Sequence, residues 1–174
     1  MLKGSIMSVE NLFASVVAHY TAIEGKDDNN YPGSEELHSI SASYSNLFKL
    51  MRLGIHHERL PPGRRLCWPH AEADEEEFVF VIEGEPDLWL DGHVQRLKAG
   101  DGCSFPAATG LAHTFINNTD KDVRLLVVGE ASRRRSRFFY PLHPKRNEEI
   151  GENNWKDHPQ RELGPHDCIP DKAR

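Results

Sequence analysis

The chain has 174 residues, 38% apolar and 28% charged, with a net charge of −6 when histidine is neutral. That length suits one domain with one sizeable core, and the acidic total argues against nucleic acid, whose binding is dominated by phosphate neutralisation. No apolar run is long enough to span a membrane, and residues 1–20 lack the basic region, long apolar stretch and cleavage site of a secretory signal. Cys67, Cys103 and Cys168 are odd in number and far apart, as expected of reduced thiols in a cytoplasmic protein.

Residues 1–44 read as an N-terminal arm. Leu12, Phe13, Val16, Val17 and Tyr20 recur at helical spacing after Ser8, a residue able to cap, which fits a short helix. The β-branched pair Val16 and Val17 also permits a strand. Residues 25–33, with Asp27, Asp28, Asn29, Asn30, Pro32 and Gly33, form a loop.

From residue 45 short strands follow one another. Residues 47–57 are an apolar stretch stopped by Pro61, Pro62 and Gly63. Arg52 and His56 share one face of it. That face is expected to point outward into solvent, the other reading being an anion-binding position at a barrel mouth. Residues 78–82 are a continuous apolar run, expected of a strand covered on both faces. Residues 88–90 and 93–97 flank Asp91-Gly92, which supplies the positive φ angles of a type I′ hairpin. Gly100-Asp101-Gly102 is another turn, and residues 113–116 and 123–128 are two further strands. Many short strands without intervening helices predict an all-β fold, a small antiparallel β-barrel or jelly roll over residues 45–132.

Composition shifts at residue 133. Arg133, Arg134, Arg135 and Arg137 lie beside Phe138, Phe139 and Tyr140. Charge and stacking together could serve nucleic acid, but the acidic total favours a solvated linker. Residues 133–174, punctuated by Pro141, Pro144, Pro159, Pro165 and Pro170, read as a C-terminal arm. It is expected to pack on the barrel or on a second copy as far as about Trp155, and to be looser beyond Cys168.

Two motifs about forty residues apart carry the chemistry. The first is His70-x-Glu72-x4-Glu77-x6-Gly84, and the second is Gly100-x5-Pro106-x3-Gly110-x2-His113-x3-Asn117. His70 and Glu72 are two apart, so on a strand both side chains share a face. Glu77 opens the next strand and His113 a later one; where those strand ends meet, the four groups converge. Two imidazoles with carboxylates and no thiolate suit a divalent Mn, Fe, Ni, Co or Zn ion. Glu75 and Glu76 are expected in solvent, and Trp68, Phe80 and Phe105 in the core. Cys67 and Cys103 are expected as small core residues with no histidine at fixed spacing to activate them.

These two segments resemble the paired motifs of the cupin superfamily, G-x5-H-x-H-x3-4-E-x6-G and G-x5-P-x-G-x2-H-x3-N, over roughly residues 47–130. The segment Glu76 to Gly84 is especially similar. The resemblance implies a metal held by His70, Glu72, Glu77 and His113, with a small ligand in the barrel mouth and pairing of copies into a homodimer. Three departures stand out: Glu72 replaces the first motif's second histidine, Gly63 lies one residue too far from His70, and three residues separate Pro106 from Gly110. The spacing changes are loop adjustments. Glu72 could be a fourth, anionic ligand, a catalytic acid or base beside the metal, or part of a site that holds none. Two functions follow. One is a metal-dependent isomerase, lyase or oxygenase acting on a small polar metabolite such as a sugar or organic acid; the other is a non-catalytic module that binds or senses such a molecule.

Overall fold

Apolar residues at every second position decide which face of each strand turns inward. The computed structural model describes residues 9–131 and 136–174, so the expectations placed on Ser8 and on Arg133 to Arg135 lie outside the described residues. In strand β4 (Glu77–Glu83) Val79 and Val81 are fully buried, while Phe78, Phe80 and Ile82 alternate with them and are exposed. The continuous apolar run is therefore covered on one face, not two.

The other strands are β1 (Ile40–Ser43), β2 (Leu53–Leu60), β3 (Ala71–Glu72), β5 (Asp87–Leu90), β6 (His93–Arg96), β7 (Gly102–Phe105), β8 (His113–Ile116), β9 (Val123–Glu130) and β10 (Phe138–Phe139). Three sheets result, in the orders β1-β2-β9-β4-β7, β6-β5-β8 and β10-β3, with antiparallel pairing throughout. The inward faces of the two larger sheets enclose one core: Leu60, Val79, Val81, Leu97, Phe105, Phe115, Val123 and Leu125. Burial of such side chains, at roughly 25 cal/mol per Å², is the main term holding the sheets together. The architecture is a jelly-roll β-barrel.

The expected hairpin joins β5 to β6. Asp91 and Gly92 both have positive φ, 45° and 81°. This turn also anchors the C-terminal arm: the Gly164 N–H donates to the Asp91 carbonyl at 2.7 Å and the His166 N–H to the Gly92 carbonyl at 3.0 Å. A Cβ at position 92 would run into the Gly164 backbone.

The stretch 47–57 is not one strand. Helix α2 (Tyr44–Phe48) occupies its start, because the Ser43 side chain caps it by accepting from the Asn46 N–H at 3.2 Å. Lys49, at φ 53°, ends the turn, and β2 begins only at Leu53. The five-stranded sheet in turn begins before residue 45, since β1 pairs with β2 through Ile40↔Arg59 to Ser43↔His56.

Helix α1 (Val9–Ala14) confirms a short helix in the N-terminal arm. Beyond it Tyr20 stacks on His57 with ring centroids 4.0 Å apart. Trp68 lies between Tyr31 and His143, at 4.1 and 4.0 Å, in a near-parallel triple stack that joins both arms to the barrel. The C-terminal arm contains helix α3 (Pro144–Glu149) and covers the back of the small sheet. There Trp155 and Cys168 pack with Ala71, Trp89, Ala112 and Ile116. The chain stays attached beyond Cys168, where the Asp171 N–H donates to Asn118 Oδ1 at 2.8 Å.

Candidate metal centre

The second strand of the five-stranded sheet and the strand ends beside it build one mouth of the barrel. His70 and His113 form an antiparallel bridge, the N–H of each donating to the carbonyl of the other at 3.3 and 3.0 Å. Their rings are 5.5 Å apart. Glu72 follows His70 in β3, Glu77 opens β4 and His113 opens β8, as the spacing predicts.

Both imidazoles are oriented by backbone carbonyls. His70 Nδ1 lies 2.9 Å from the Trp68 carbonyl and His113 Nδ1 lies 3.2 Å from the Leu111 carbonyl. An N–H at each Nδ1 leaves Nε2 as the free lone pair, the arrangement that metal-ligating histidines use. His70 Nε2 lies 3.8 Å from a Glu72 oxygen, and His113 Nε2 lies 3.3 Å from a Glu77 oxygen. Phe105 stacks flat on the His113 ring and holds it from the core side. The donor set fits a hard or borderline divalent ion in type. As placed, the donors pair off with each other, and among the described residues no three His, Cys, Asp or Glu side chains converge as a metal-binding group.

Burial sets the electrostatics. It is the largest influence on Glu72, whose carboxyl is pushed up to about 7; Glu77, Glu75 and Glu130 add to the rise and His70 opposes it. Burial would also raise Glu77, but the hydrogen bond and charge of His113 hold it below the usual carboxylate range. Burial works against a charge on His70, yet Cys67, Tyr140 and Glu72 together raise it well above its ordinary value. Cys67, expected to lack a histidine, has its sulfur 3.7 Å from His70 Nδ1.

Two positions, His56 and Glu75, depart from the sequence reading, and a third, Glu58, was not singled out by it. His56 does not face outward: it lines a cavity of about 180 Å³ together with Glu72, Glu76, Glu77 and Glu130. Glu58, two residues on, is buried with Oε2 free of any hydrogen-bond partner. The signal for both was Leu60, whose place in the core turns the whole row Leu60, Glu58, His56 inward by alternation. Glu75 is not solvated: it is buried and accepts a hydrogen bond from Ser136. Asn117 is a structural member of its motif, its Nδ2 donating to the carbonyls of Leu60 and Lys121 at 2.8 Å each. A larger hollow of about 410 Å³ adjoins this cavity, sharing Glu76, Glu77, Gly129 and Glu130 with it and reaching Phe78, Phe105 and Val128; neither His70 nor His113 lines either one.

A jelly-roll barrel with two histidines and two glutamates at one mouth defines a class of small β-barrel proteins. Residues 56–129 match the Cupin domain family, so this stretch of the chain is a cupin domain. It is similar to a candidate sugar phosphate isomerase of Acidithiobacillus ferrooxidans at 23% identity and TM-score 0.63, covering 74% of this chain and 82% of that one. It is also similar to a cupin-superfamily sugar phosphate isomerase of Silicibacter pomeroyi at 31% identity and TM-score 0.55, covering 59% of this chain and 64% of that one. A 65-residue stretch is 35% identical to the polyketide synthase CurC of Streptomyces cyaneus, covering 37% of this chain and 40% of that protein's length. Among the described residues no helix is long and apolar enough to cross a membrane.

Proposed function

We propose that the barrel mouth binds one divalent metal through His70, Glu77 and His113 and acts there on a small polar metabolite. The supporting observation is the orientation of the two imidazoles, each with Nδ1 on a backbone carbonyl and Nε2 toward a carboxylate. When bound, the ion supplies a Lewis acid able to polarise a carbonyl or hydroxyl oxygen. Glu72 then serves as the fourth donor, or as the residue that holds and returns a proton at a substrate carbon or oxygen. Its nearly buried side chain borders the cavity with His56 and Glu77. The cavity size suits a ligand of a few heavy atoms beside the metal, with Val127 in its wall and Phe105 closing the core side behind His113.

A sugar or a related hydroxy acid is the substrate class we favour, and isomerisation the reaction, in keeping with the sugar phosphate isomerase of Silicibacter pomeroyi that the chain resembles. The free cysteines accord with a cytoplasmic setting, which belongs to the same proposal. The second reading is a binding or sensing module without catalysis. It is favoured by the carboxylates already being paired with the imidazoles. Elemental analysis of the purified chain, followed by metal titration into the stripped protein, tests the first reading. One ion per chain, lost in His113→Ala, is expected. No binding of Mn, Fe, Co, Ni or Zn by the unaltered chain would leave the second reading standing.

A further inference from the structure

His56 and Glu58 stand on the inward row of β2 and take no part in the set His70, Glu77 and His113. The ladder places each of them. His56 lies opposite Ser43 and Val127, and Glu58 opposite Ser41 and Leu125, with Val81 next in that row. The His56 side chain is 35% exposed and borders the cavity of about 180 Å³. Glu58 is 8% exposed, level with the core residues Val81 and Leu125, and its Oε2 has no hydrogen-bond partner among the described residues.

A buried carboxylate needs donors for its charge, and this one lacks them. Ser41 and Ser39 are the hydroxyls that reach it, and Ser39 already donates to the Leu66 carbonyl at 3.4 Å. Glu58 is therefore held as the neutral acid. Burial is the main cause that pushes its carboxyl up; the two serines pull it down and Glu77 adds to the rise. The proton on Glu58 sets the direction of a short chain. The acid O–H donates to Ser41 Oγ, and Ser41 donates to His56 Nδ1, 3.4 Å away. Glu58 Oε1 is itself 4.0 Å from that nitrogen. Burial lowers the pKa of the imidazole and keeps it neutral, with Glu77 opposing. An accepting Nδ1 then leaves the single N–H on Nε2, on the ring edge away from Ser41. This is the reverse of His70 and His113, whose Nδ1 atoms lie on carbonyls and whose Nε2 atoms are lone pairs.

We propose that His56, oriented by Ser41 and Glu58, is the hydrogen-bond donor of the barrel mouth, its Nε2–H taking a hydroxyl or carbonyl oxygen of the metabolite. The role rests on the reading of the mouth as a metal-dependent ligand site; the tautomer does not. His56 touches the ligand, and Ser41 and Glu58 act through it as positioning residues. A fixed N–H aimed at an oxygen that gains negative charge stabilises that charge. The same N–H disfavours a ligand that presents an ammonium group at this position.

The first tests use the full chain without metal. Its infrared spectrum at neutral pH should contain the carbonyl band of a buried carboxylic acid that persists in Glu72→Gln and is lost in Glu58→Gln. Nitrogen NMR of the histidine-labelled chain should show the His56 proton on Nε2 and Nδ1 as a hydrogen-bonded acceptor, a bond lost in Ser41→Ala. Glycolate, a small hydroxy acid, is the ligand probe for the chain loaded with Mn. His56→Leu should bind the ion as the unaltered chain does and glycolate about tenfold more weakly. A His56 proton on Nδ1, an acid band indifferent to Glu58→Gln, or glycolate affinity that is absent or is equal in His56→Leu would each overturn the proposal. A chain that takes up no divalent ion would end the metal reading alone, and the two metal-free spectra would still decide the tautomer and its support.

Discussion

His70 and His113 are direct ladder partners, bonded backbone to backbone, with ring centroids 5.5 Å apart. Each backbone is fixed by the other, so the two Cβ atoms cannot separate without breaking the bridge. The pairing brings residues from both motifs, far apart in sequence, to one side of the barrel mouth. It is also why Glu72 and Glu77 each find an imidazole within 4 Å.

Removal of either imidazole therefore strips a donor that the backbone has already positioned. His113→Ala should weaken binding of a divalent ion by at least about 100-fold, more than loss of an outer-shell partner costs. Glu72→His should shift preference toward Zn or Ni over Mn, because imidazole is the softer ligand. Competition titration with the stripped protein measures both. Unchanged preference in Glu72→His would show that Glu72 is not a ligand.

Glu72 also predicts how the metal-free protein responds to pH. Its carboxyl stands at about 7 in the folded chain against 4.5 for an unperturbed glutamate. Between those values the folded chain keeps a proton that the unfolded chain has released. Stability conferred by protonation is therefore full below about pH 4.5 and falls as pH rises to about 7. Each pKa unit corresponds to about 1.4 kcal/mol, so the fall is of the order of a few kcal/mol. Glu72→Gln should remove this slope and be the more stable protein at pH 8. Urea unfolding at pH 5 and pH 8 reads the difference; the same slope in both proteins would place the carboxyl's titration elsewhere.

Trp68 gives a prediction for the arms. Its ring is held between Tyr31 and His143, and its Nε1 donates to Glu36 at 2.9 Å. Glu36 is in turn gripped by Arg65 at 2.6 and 2.7 Å. Trp68→Ala removes the central layer and leaves Glu36 with one partner fewer. A loss of about 2–4 kcal/mol is expected, with Trp68→Phe recovering the stack but not the hydrogen bond. Chemical denaturation of the three proteins gives the comparison. Equal stability of the Ala and Phe variants would mean that the stack contributes nothing.

Much of the barrel was legible because turn chemistry and alternation are local. Asp91-Gly92 can serve only a narrow set of turns, and Arg124 sets Val123 and Leu125 on one face; the unbroken run Phe78 to Ile82 shows no alternation and so was read as covered on both faces. The ends of β4 and β8 at Glu77 and His113 followed from motif spacing. The direction of the Arg52–His56 face was misread: alternation tells which residues share a face, and only Leu60, further along the same row, marks that face as the one that meets the core. Strand β10 was missed since it has two residues and exists only through its pairing with β3. Glu75 read as solvated because its burial depends on Ser136, 61 residues away.

The C-terminal arm supplies the last prediction. Its apolar side chains are not a core of their own; they close the open side of the small sheet. Trp155 is buried against Ala71 and Ile116, its backbone N–H donates to the Phe138 carbonyl at 2.8 Å, and Trp89 Nε1 donates to the His166 carbonyl at 2.9 Å. Truncation after Tyr140 would uncover Trp89 and Ile116, both fully buried, and leave the Trp89 donor to find water. It should lower the melting temperature steeply or yield insoluble chain. Truncation after Cys168 removes one buried residue, Pro170, the Asp171 contact with Asn118 and exposed ion pairs such as Lys172 with Asp120. Such surface pairs contribute about 0–1 kcal/mol, so this shorter cut should shift the melting temperature by a few degrees at most. Thermal unfolding of the two truncated chains beside the full one decides the matter. Equal melting temperatures for all three would show that the arm does not stabilise the barrel, whatever its side chains cover.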